Sequence, residues 1–175
     1  VRNSVGYPKL NVKIVGSHAG ISVGEDGATH QCCEDIALMR TIPGMTIINP
    51  ADETEAKKAV KAALELDGPV YMRFGRLAVP VIFGDDYNFE VGKGVELKDG
   101  TDVTVIATGL MVNEALEAYE ILKSEGISAR IINMHTIKPL DKEIVLKAAR
   151  ETGAIVTAEE HSVIGGLGAA VSETV

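Results

Sequence analysis

The chain has 175 residues, of which 46% are hydrophobic and 24% charged, a composition typical of a soluble globular protein of one medium or two small domains. Seventeen basic against 25 acidic residues give a formal net charge of −8, and no Lys/Arg cluster is interleaved with aromatic residues, which argues against nucleic acid as a partner. No apolar run reaches the roughly 18 residues that a membrane helix needs, so no membrane association is expected.

Strand and helix patterns alternate along the first part of the chain. Their predicted bounds are 9–15, 46–49 and 70–74 for the strands and 30–41 and 52–67 for the helices. The second helix has a defined start, because Asp52 is followed three residues later by Glu55 in a capping-box arrangement. Gly68-Pro69 ends it.

The pattern breaks once and then resumes. Residues 77–90 lose all periodicity and collect proline, glycine and aspartate, so we interpret them as a linker between two domains, 1–85 and 86–175. Beyond it, strands are predicted at 103–107, 129–134 and 154–157, with helices around 115–122, at 141–150 and after the glycines at 165–168. Strands that alternate with helices predict an α/β fold, with parallel or mostly parallel sheets and flanking helices in both domains.

The two ends of the sequence indicate processing or truncation. The chain starts with Val1, without a signal-peptide pattern, so Val1 is interpreted as a cut or processed end, and the uncapped pattern at 169–175 predicts truncation there as well.

The two cysteines, Cys32 and Cys33, are adjacent, and neighbouring residues rarely form a disulfide. Because two free thiols suit a reducing compartment, the cytoplasm is the predicted location. The pair could bind a metal or act in redox chemistry, but the apolar run that follows favours two small buried residues.

The loop after the first strand, SHAGISVGEDGATHQ at 17–31, carries more titratable chemistry than a turn needs. Ligands of open parallel sheets bind at the carboxyl ends of the strands, where this loop lies, and its glycines let the backbone approach a ligand closely. His18 leaves the strand first, and Asp26 and His30 follow. His30 is expected near the start of the next helix, whose positive dipole end suits an anion. The loop is therefore predicted to form a functional site.

Two other interpretations of the loop stay open. It could be a surface loop whose histidine caps a helix. His30 and Glu34 also fall one helical turn apart, as in a metal site. Because no third ligand is evident, no residue is assigned as a metal ligand.

Two further segments end strands with charged residues. YMRFGRLAVP contains Arg73, inside the strand pattern, and Arg76, just past it, where a ligand cation belongs. A salt bridge on the sheet face is the alternative for Arg73, and a solvated side chain is the alternative for either arginine. AEEHSVIGGLG places His161 before a glycine-rich helix start, but its spacing is not that of a dinucleotide fingerprint. His161 is therefore predicted to make an interface or domain contact.

Together these residues resemble one family. VGEDGATHQ with the upstream SHAG is similar to the loop of the pyrimidine-binding domain of transketolase, and INPADETEAKKAV, GPVYMRFGR and VTVIATGLMVNEALEAYEIL continue in the same order. IINMHTIKPLD and AEEHSVIGGLG resemble the family's carboxy-terminal domain, so the resemblance covers nearly the whole chain. It implies a thiamine diphosphate enzyme that moves a two-carbon ketol unit between sugar phosphates, as in the pentose phosphate pathway.

The resemblance also implies roles for residues of the loop and of the strand end. His18 and Arg76 would bind the substrate phosphate. Asp26 would accept a hydrogen bond from a sugar hydroxyl and set stereochemical preference. His30 would lie near the reactive carbon of the cofactor and assist proton movement on the ketol unit. Near neutral pH, imidazole can donate a hydrogen bond to a phosphate or transfer a proton.

The chain lacks two features of the family pattern. The Gly-Asp-Gly signature that binds diphosphate and Mg²⁺ is missing, and the nearest string, Gly84-Asp85-Asp86, lacks the second glycine. The glutamate that activates the cofactor would lie upstream of Val1. The resemblance therefore implies half a site, completed by an amino-terminal half or subunit of transketolase that binds thiamine diphosphate and Mg²⁺, in a homodimer or heterotetramer.

Three alternatives compete with transketolase. Deoxyxylulose-phosphate synthase shares much of the loop and the second domain, although THQ and the SHAG histidine look closer to transketolase. The beta-type subunits of 2-oxo acid dehydrogenases share the architecture with less similar loop residues. A non-catalytic assembly or regulatory module could also retain this fold, but it has no need of His18, Asp26, His30 and Arg76 together.

Overall fold

The computed structural model describes all 175 residues. Its strands and helices follow one another as β1 Lys13–Gly16, α1 Asp35–Arg40, β2 Thr46–Ile48, α2 Glu53–Glu65, β3 Val70–Arg73, β4 Val95–Lys98, β5 Val103–Ala107, α3 Met111–Ser124, β6 Ala129–Asn133, β7 Thr136–Lys138, α4 Lys142–Glu151, β8 Ile155–Ala158 and α5 Leu167–Ser172. A π-helical turn spans Arg2–Gly6 and a 3-10 turn spans Gly24–Asp26. None of the helices combines the length and apolar character that a bilayer crossing demands.

The strands form two four-stranded sheets, in the orders β1-β3-β2-β7 and β4-β6-β5-β8. In the first sheet β3 pairs in parallel with β1 and β2, whereas β7 runs antiparallel to β2. In the second sheet β5 pairs in parallel with β6 and β8, whereas β4 runs antiparallel to β6. The predicted α/β class with mostly parallel sheets is confirmed, and the predicted domain limits, 1–85 and 86–175, stay a prediction.

Strands β4 and β7 were not predicted from the sequence. Strand β7 has three residues and pairs with β2 across the register shift between Ile47 and Ile48. It adds a strand from the second part of the chain to the first sheet, so backbone hydrogen bonds join the two parts of the chain. Asn49 N also donates to the carbonyl oxygen of His135, at 2.8 Å.

The first sheet is covered on both faces. All four residues of β3 are buried, and because successive side chains of a strand point to opposite faces, Tyr71 packs toward α1 and Met72 toward α2. Helix α2 lies close to the sheet through two small residues one turn apart, Ala59 and Ala63. The second sheet packs against α3 on one face and against α4 and α5 on the other.

The helix starts show which local signals were sufficient. Asp52 caps α2 as predicted, since its Oδ1 accepts from Glu55 N at 2.7 Å, whereas Glu55 Oε2 accepts from Ala51 N and not from Asp52 N. Helix α1 begins at Asp35, so the predicted start at residue 30 is wrong. The backbone N–H and carbonyl of Cys32 form hydrogen bonds with Gly20, so they are not available for the hydrogen bonds of a helix. Cys32 and Cys33 are partly exposed, so the prediction that both are buried is also wrong.

Candidate functional site

Loop 17–31 leaves the carboxyl end of β1 and is closed by hydrogen bonds between Gly20 and Cys32, which form the neck of the loop. Gly20 N donates to Cys32 O at 2.9 Å, and Cys32 N donates back to Gly20 O at 3.1 Å. Ala19 N donates to Phe74 O, which ties the neck to the residue that follows β3. Because β1 and β3 are parallel neighbours, the loop and the chain after β3 lie at one edge of the sheet.

Three of the four predicted site residues meet at this edge. Asp26 Oδ2 lies 3.2 Å from Arg76 Nε and 4.0 Å from His18 Nε2. The side chains are partly exposed, at 45% for His18 and 37% for both Asp26 and Arg76. Arg76 also lies against Gly24, where an added Cβ would be 3.3 Å from Nη1 and the backbone has a φ of +63°. A glycine there lets the guanidinium group approach the loop.

His30 stands apart from the other three. It is exposed, its Nδ1 lies 3.0 Å from Thr29 Oγ1, and it makes no hydrogen bond or ion pair with His18, Asp26 or Arg76. Helix α1 begins five residues later, so the predicted place of His30 at a helix start is wrong. Glu34 accepts a hydrogen bond from Cys33 N instead of facing a ligand shared with His30.

The cluster of His18, Asp26 and Arg76 has free hydrogen-bonding capacity. Arg76 makes one ion pair, through Nε, so its two terminal amino groups are free to bind an anion in the paired geometry that guanidinium favours. An ion pair this exposed contributes about 0–1 kcal/mol, so a ligand can compete with it. A carboxylate beside two cationic or imidazole donors suits a ligand that carries both an anion and a hydroxyl group.

A buried network lies directly beneath the loop. Arg73 Nε donates to Asp35 Oδ2 at 2.8 Å, and Arg73 Nη2 donates to the carbonyl oxygens of Cys32, at 3.2 Å, and Glu160, at 2.8 Å. Tyr71 Oη donates to Asp35 Oδ2 at 2.7 Å. Burial alone would raise the pKa of Asp35, but the hydrogen bonds and charge of Arg73 hold it below its usual value. The alternative interpretation of Arg73, a salt bridge in the sheet, is confirmed.

The second sheet contributes His161 to the same network. Its Nε2 accepts from Ala37 N at 3.4 Å and lies 3.9 Å from Asp35 Oδ1, while Nδ1 donates to Ser162 O at 2.7 Å. These contacts join the segment after β8 to α1. The predicted domain contact of His161 is confirmed.

A second buried polar cluster was missed by the sequence reasoning. Glu55 is fully buried and accepts hydrogen bonds from Ala51 N at 2.7 Å, from Tyr87 Oη at 2.7 Å and from Asn133 Nδ2 at 2.8 Å. Burial raises the pKa of Glu55 to about 7, although the three hydrogen bonds oppose this effect. The only local signal was the capping-box position of Glu55, which predicts a helix start and not a contact between α2 and the second sheet.

His135 lies in the same interior. It is fully buried and lies against Phe89, with 4.3 Å between the ring centroids and the rings tilted by 36°, and its Nε2 has no hydrogen-bond partner. Burial lowers its pKa to about 4, against a smaller opposing effect of Asp141, so the ring is neutral near pH 7.

Comparison with known proteins places the chain in a family. Residues 1–81 match the family model "Transketolase, pyrimidine binding domain", and residues 92–175 match "Transketolase, C-terminal domain". The 6-deoxy-6-sulfo-D-fructose transketolase subunit SqwH of Clostridium sp. (strain MSTE9) is 49% identical over 97% of this chain and 53% of its own length. An apulose-4-phosphate transketolase subunit of Phocaeicola vulgatus is 48% identical over 99% of this chain and 56% of its own length.

A solved structure agrees with the sequence matches. The structure described as "Split gene transketolase, inactive beta4 tetramer" is 54% identical to this chain and superposes on it with a TM-score of 0.92. The match covers 99% of this chain and 56% of the chain in that structure. The chain therefore spans about half the length of these three relatives. Two family models that together cover most of the chain, and this agreement in fold, show that the chain belongs to the transketolase family.

Proposed function

We propose that this chain supplies the substrate-binding half of a transketolase that moves a two-carbon ketol unit between sugar phosphates. The observation that supports this most directly is the convergence of His18, Asp26 and Arg76 within 4.0 Å at the carboxyl ends of β1 and β3. The relatives named as transketolase subunits support the same reaction class.

Each site residue has a role that its chemistry allows. His18 and Arg76 bind the phosphate of the sugar, with the terminal amino groups of Arg76 as the main donors. Asp26 accepts a hydrogen bond from a sugar hydroxyl and sets stereochemical preference. His30, exposed on the same loop, assists proton movement on the ketol unit.

The residues of this chain do not by themselves fit thiamine diphosphate and Mg²⁺. No group of three or more His, Cys, Asp and Glu side chains is brought together as a metal would require. Gly84 and Asp85 lie in the irregular segment between β3 and β4, and Lys58 donates to the Asp85 carbonyl at 2.8 Å. The diphosphate and the metal are therefore assigned to the partner half. We expect isothermal titration of the chain alone with thiamine diphosphate and Mg²⁺ to give no heat of binding, and micromolar binding would contradict the assignment.

The proposal extends to assembly and compartment. The partner is an amino-terminal transketolase half or subunit, and the assembly is a homodimer or a heterotetramer. The length of the chain relative to its relatives and the split-gene origin of the similar structure support a two-part enzyme. Two free cysteines support a cytoplasmic enzyme, and the sugar-phosphate reaction supports a place in the pentose phosphate pathway.

Reconstitution tests the proposed function. The chain is mixed with an amino-terminal half that carries the diphosphate signature, together with thiamine diphosphate and Mg²⁺. Xylulose 5-phosphate with ribose 5-phosphate is offered in one assay, and pyruvate with glyceraldehyde 3-phosphate in another. Turnover of the sugar pair alone supports transketolase, whereas turnover of the pyruvate pair alone assigns the chain to the deoxyxylulose-phosphate synthases. A complex that forms without either turnover would indicate an assembly module.

A further inference from the structure

We propose that Glu160, contributed by the second sheet, is a positioning residue for the loop that carries His18 and Asp26. The inference rests on the proposed function, because the loop matters here as the substrate-binding element. It goes further in assigning control of that loop to a residue outside the cluster of His18, Asp26 and Arg76.

The Glu160 side chain holds the loop just inside its neck. Its Oε1 accepts a hydrogen bond from Ser22 N at 2.9 Å. Gly20 makes this contact possible, since a Cβ at that position would lie 2.6 Å from Glu160 Cβ and 2.7 Å from Cδ. The φ of Gly20 is +83°, which a residue with a side chain adopts only with strain. The carboxylate thus sits directly on the loop backbone.

Glu160 is itself held in place from two sides. Its backbone carbonyl accepts from Arg73 Nη2 at 2.8 Å, and the same Nη2 donates to the carbonyl of Cys32, the other end of the loop neck. Two residues later, Ser162 N donates to Cys33 O at 2.8 Å. The segment 160–162, which follows the last strand of the second sheet, is therefore tied to both ends of the loop.

The contact lies close to the binding residues. Ser22 precedes Val23, which is fully buried and caps the 3-10 turn Gly24–Asp26. The backbone direction at Ser22 therefore sets where that turn begins and where the Asp26 carboxylate faces Arg76. A carboxylate that accepts from a backbone N–H forms a charge-assisted hydrogen bond, which is directional and stronger than a neutral one.

Glu159 provides a matched control. It is the adjacent glutamate on the same segment, but its two oxygens accept from Leu167 N at 2.7 Å and Gly168 N at 2.9 Å at the start of α5, and it makes no hydrogen bond with the loop. Replacing Glu159 removes a carboxylate and weakens the fold at the start of α5 without touching the loop backbone. It therefore reports the effect of a purely structural loss.

The first experiment measures the loop directly, by hydrogen exchange of the full chain in peptides that cover 17–31. We expect E160A to increase deuterium uptake in these peptides severalfold, and E159A to leave it at the parental value while lowering the melting temperature. E160Q retains an acceptor oxygen at the same reach but lacks the charge, so its uptake is expected to lie between those of the parent and E160A. E160D keeps the charge but is one methylene short of Ser22, so it is expected to resemble E160A and serves if E160A fails to fold. Unchanged uptake in both E160A and E160D would overturn the inference.

The second experiment measures turnover in the reconstituted complex with xylulose 5-phosphate and ribose 5-phosphate. We expect E160A to raise KM about tenfold, as expected for loss of a charge-assisted hydrogen bond that orients binding groups, with a smaller change in kcat. E160Q is expected to raise KM less than E160A does, because it keeps the acceptor oxygen, and E159A is expected to leave KM unchanged. An equal rise in KM for E159A would show a general structural effect and overturn the inference. A parent complex without turnover would instead contradict the proposed function, and the exchange experiment would still decide the role of Glu160.

Discussion

Arg73 and Arg76 are three residues apart but differ in burial and in the number of hydrogen bonds that they make. Arg73, at the end of β3, is 3% exposed and donates to a carboxylate and to two backbone carbonyls. Arg76 has a 37% exposed side chain and a single ion pair with Asp26. The sequence places Arg76 just past the strand, where a ligand cation belongs, and leaves a salt bridge as the alternative for Arg73, but it does not decide between binding and structural roles. The number of donors still free distinguishes the structural arginine from the one that is available to a ligand.

The same contrast separates two regions of the molecule. The junction between the sheets is enclosed: Arg73 pairs with Asp35, and the buried Glu55 accepts hydrogen bonds from neutral donors. The loop with His18 and Asp26 is exposed and lightly bonded. Changes in the junction should therefore alter the free energy of unfolding, whereas changes in the loop should alter substrate binding.

The largest effect is expected for R73A. It leaves the buried Asp35 carboxylate without its cationic partner, and breaking a buried ion pair in this way costs about 3–5 kcal/mol. R76A removes a partly exposed pair and should change stability by less than about 1 kcal/mol. Urea unfolding of both variants measures the difference, and equal losses would show that the contrast between the two arginines is wrong.

The next effect concerns Glu55 and pH. Its pKa rises from 4.5 in the unfolded chain to about 7 in the folded one, so the folded state binds the extra proton between these values. Its contribution to stability is complete below pH 4.5 and is lost as the pH rises through 7, and it amounts to on the order of 3 kcal/mol. Urea midpoints above pH 6.5 should therefore fall with rising pH in the parent, and less so in E55Q.

His135 provides an internal control for that experiment. Its pKa falls from 6.5 to about 4 on folding, so its contribution is lost as the pH falls from 6.5 toward 4 and opposes that of Glu55 between pH 4.5 and 6.5. E55Q should therefore lose stability on acidification from pH 6.5 to 4.5 more steeply than the parent does. Parallel pH profiles for the parent and E55Q would contradict the assignment of a raised pKa to Glu55.

Substitutions of His18 and Arg76 test whether the exposed, lightly bonded side chains bind substrate. In the reconstituted enzyme, H18A and R76A should each raise KM for phosphorylated sugars roughly 10- to 100-fold, because each removes a hydrogen bond to a charged group worth about 1.5–3 kcal/mol. Unphosphorylated sugars serve as the control and should be affected far less. Equal effects on both kinds of sugar would rule out the phosphate role.

The smallest effect is expected for D26A. Loss of one hydrogen bond to a sugar hydroxyl should reduce discrimination between substrate stereoisomers by about tenfold or less, since a net hydrogen bond contributes about 0.5–1.5 kcal/mol. The ratio of kcat/KM for two epimeric sugar phosphates measures it. A preference that is unchanged in D26A would remove Asp26 from the specificity role.

The elements that were predicted correctly are those specified by local pattern. The strands found at 46–48, 70–73 and 103–107 carry β-branched or apolar runs, and α2 has its cap within three residues of its start. A general rule on the carboxyl ends of parallel strands predicted a site on the loop with His18 and Asp26, whereas the resemblance to the family grouped Arg76 with them. Strands β4 and β7 were missed because short, irregular strands depend on the partner beside them.

The sequence by itself determined the α/β alternation, the position of the glycine-rich loop and the residues that line it, because periodicity and turn chemistry depend on neighbours a few positions away. Only the tertiary structure decided which charged groups are enclosed. Glu55 meets Asn133 from 78 positions away, and Arg73 meets the Glu160 carbonyl from 87 positions away. Desolvation and hydrogen bonding set the charge state and role of a side chain, and both depend on segments that only folding brings together.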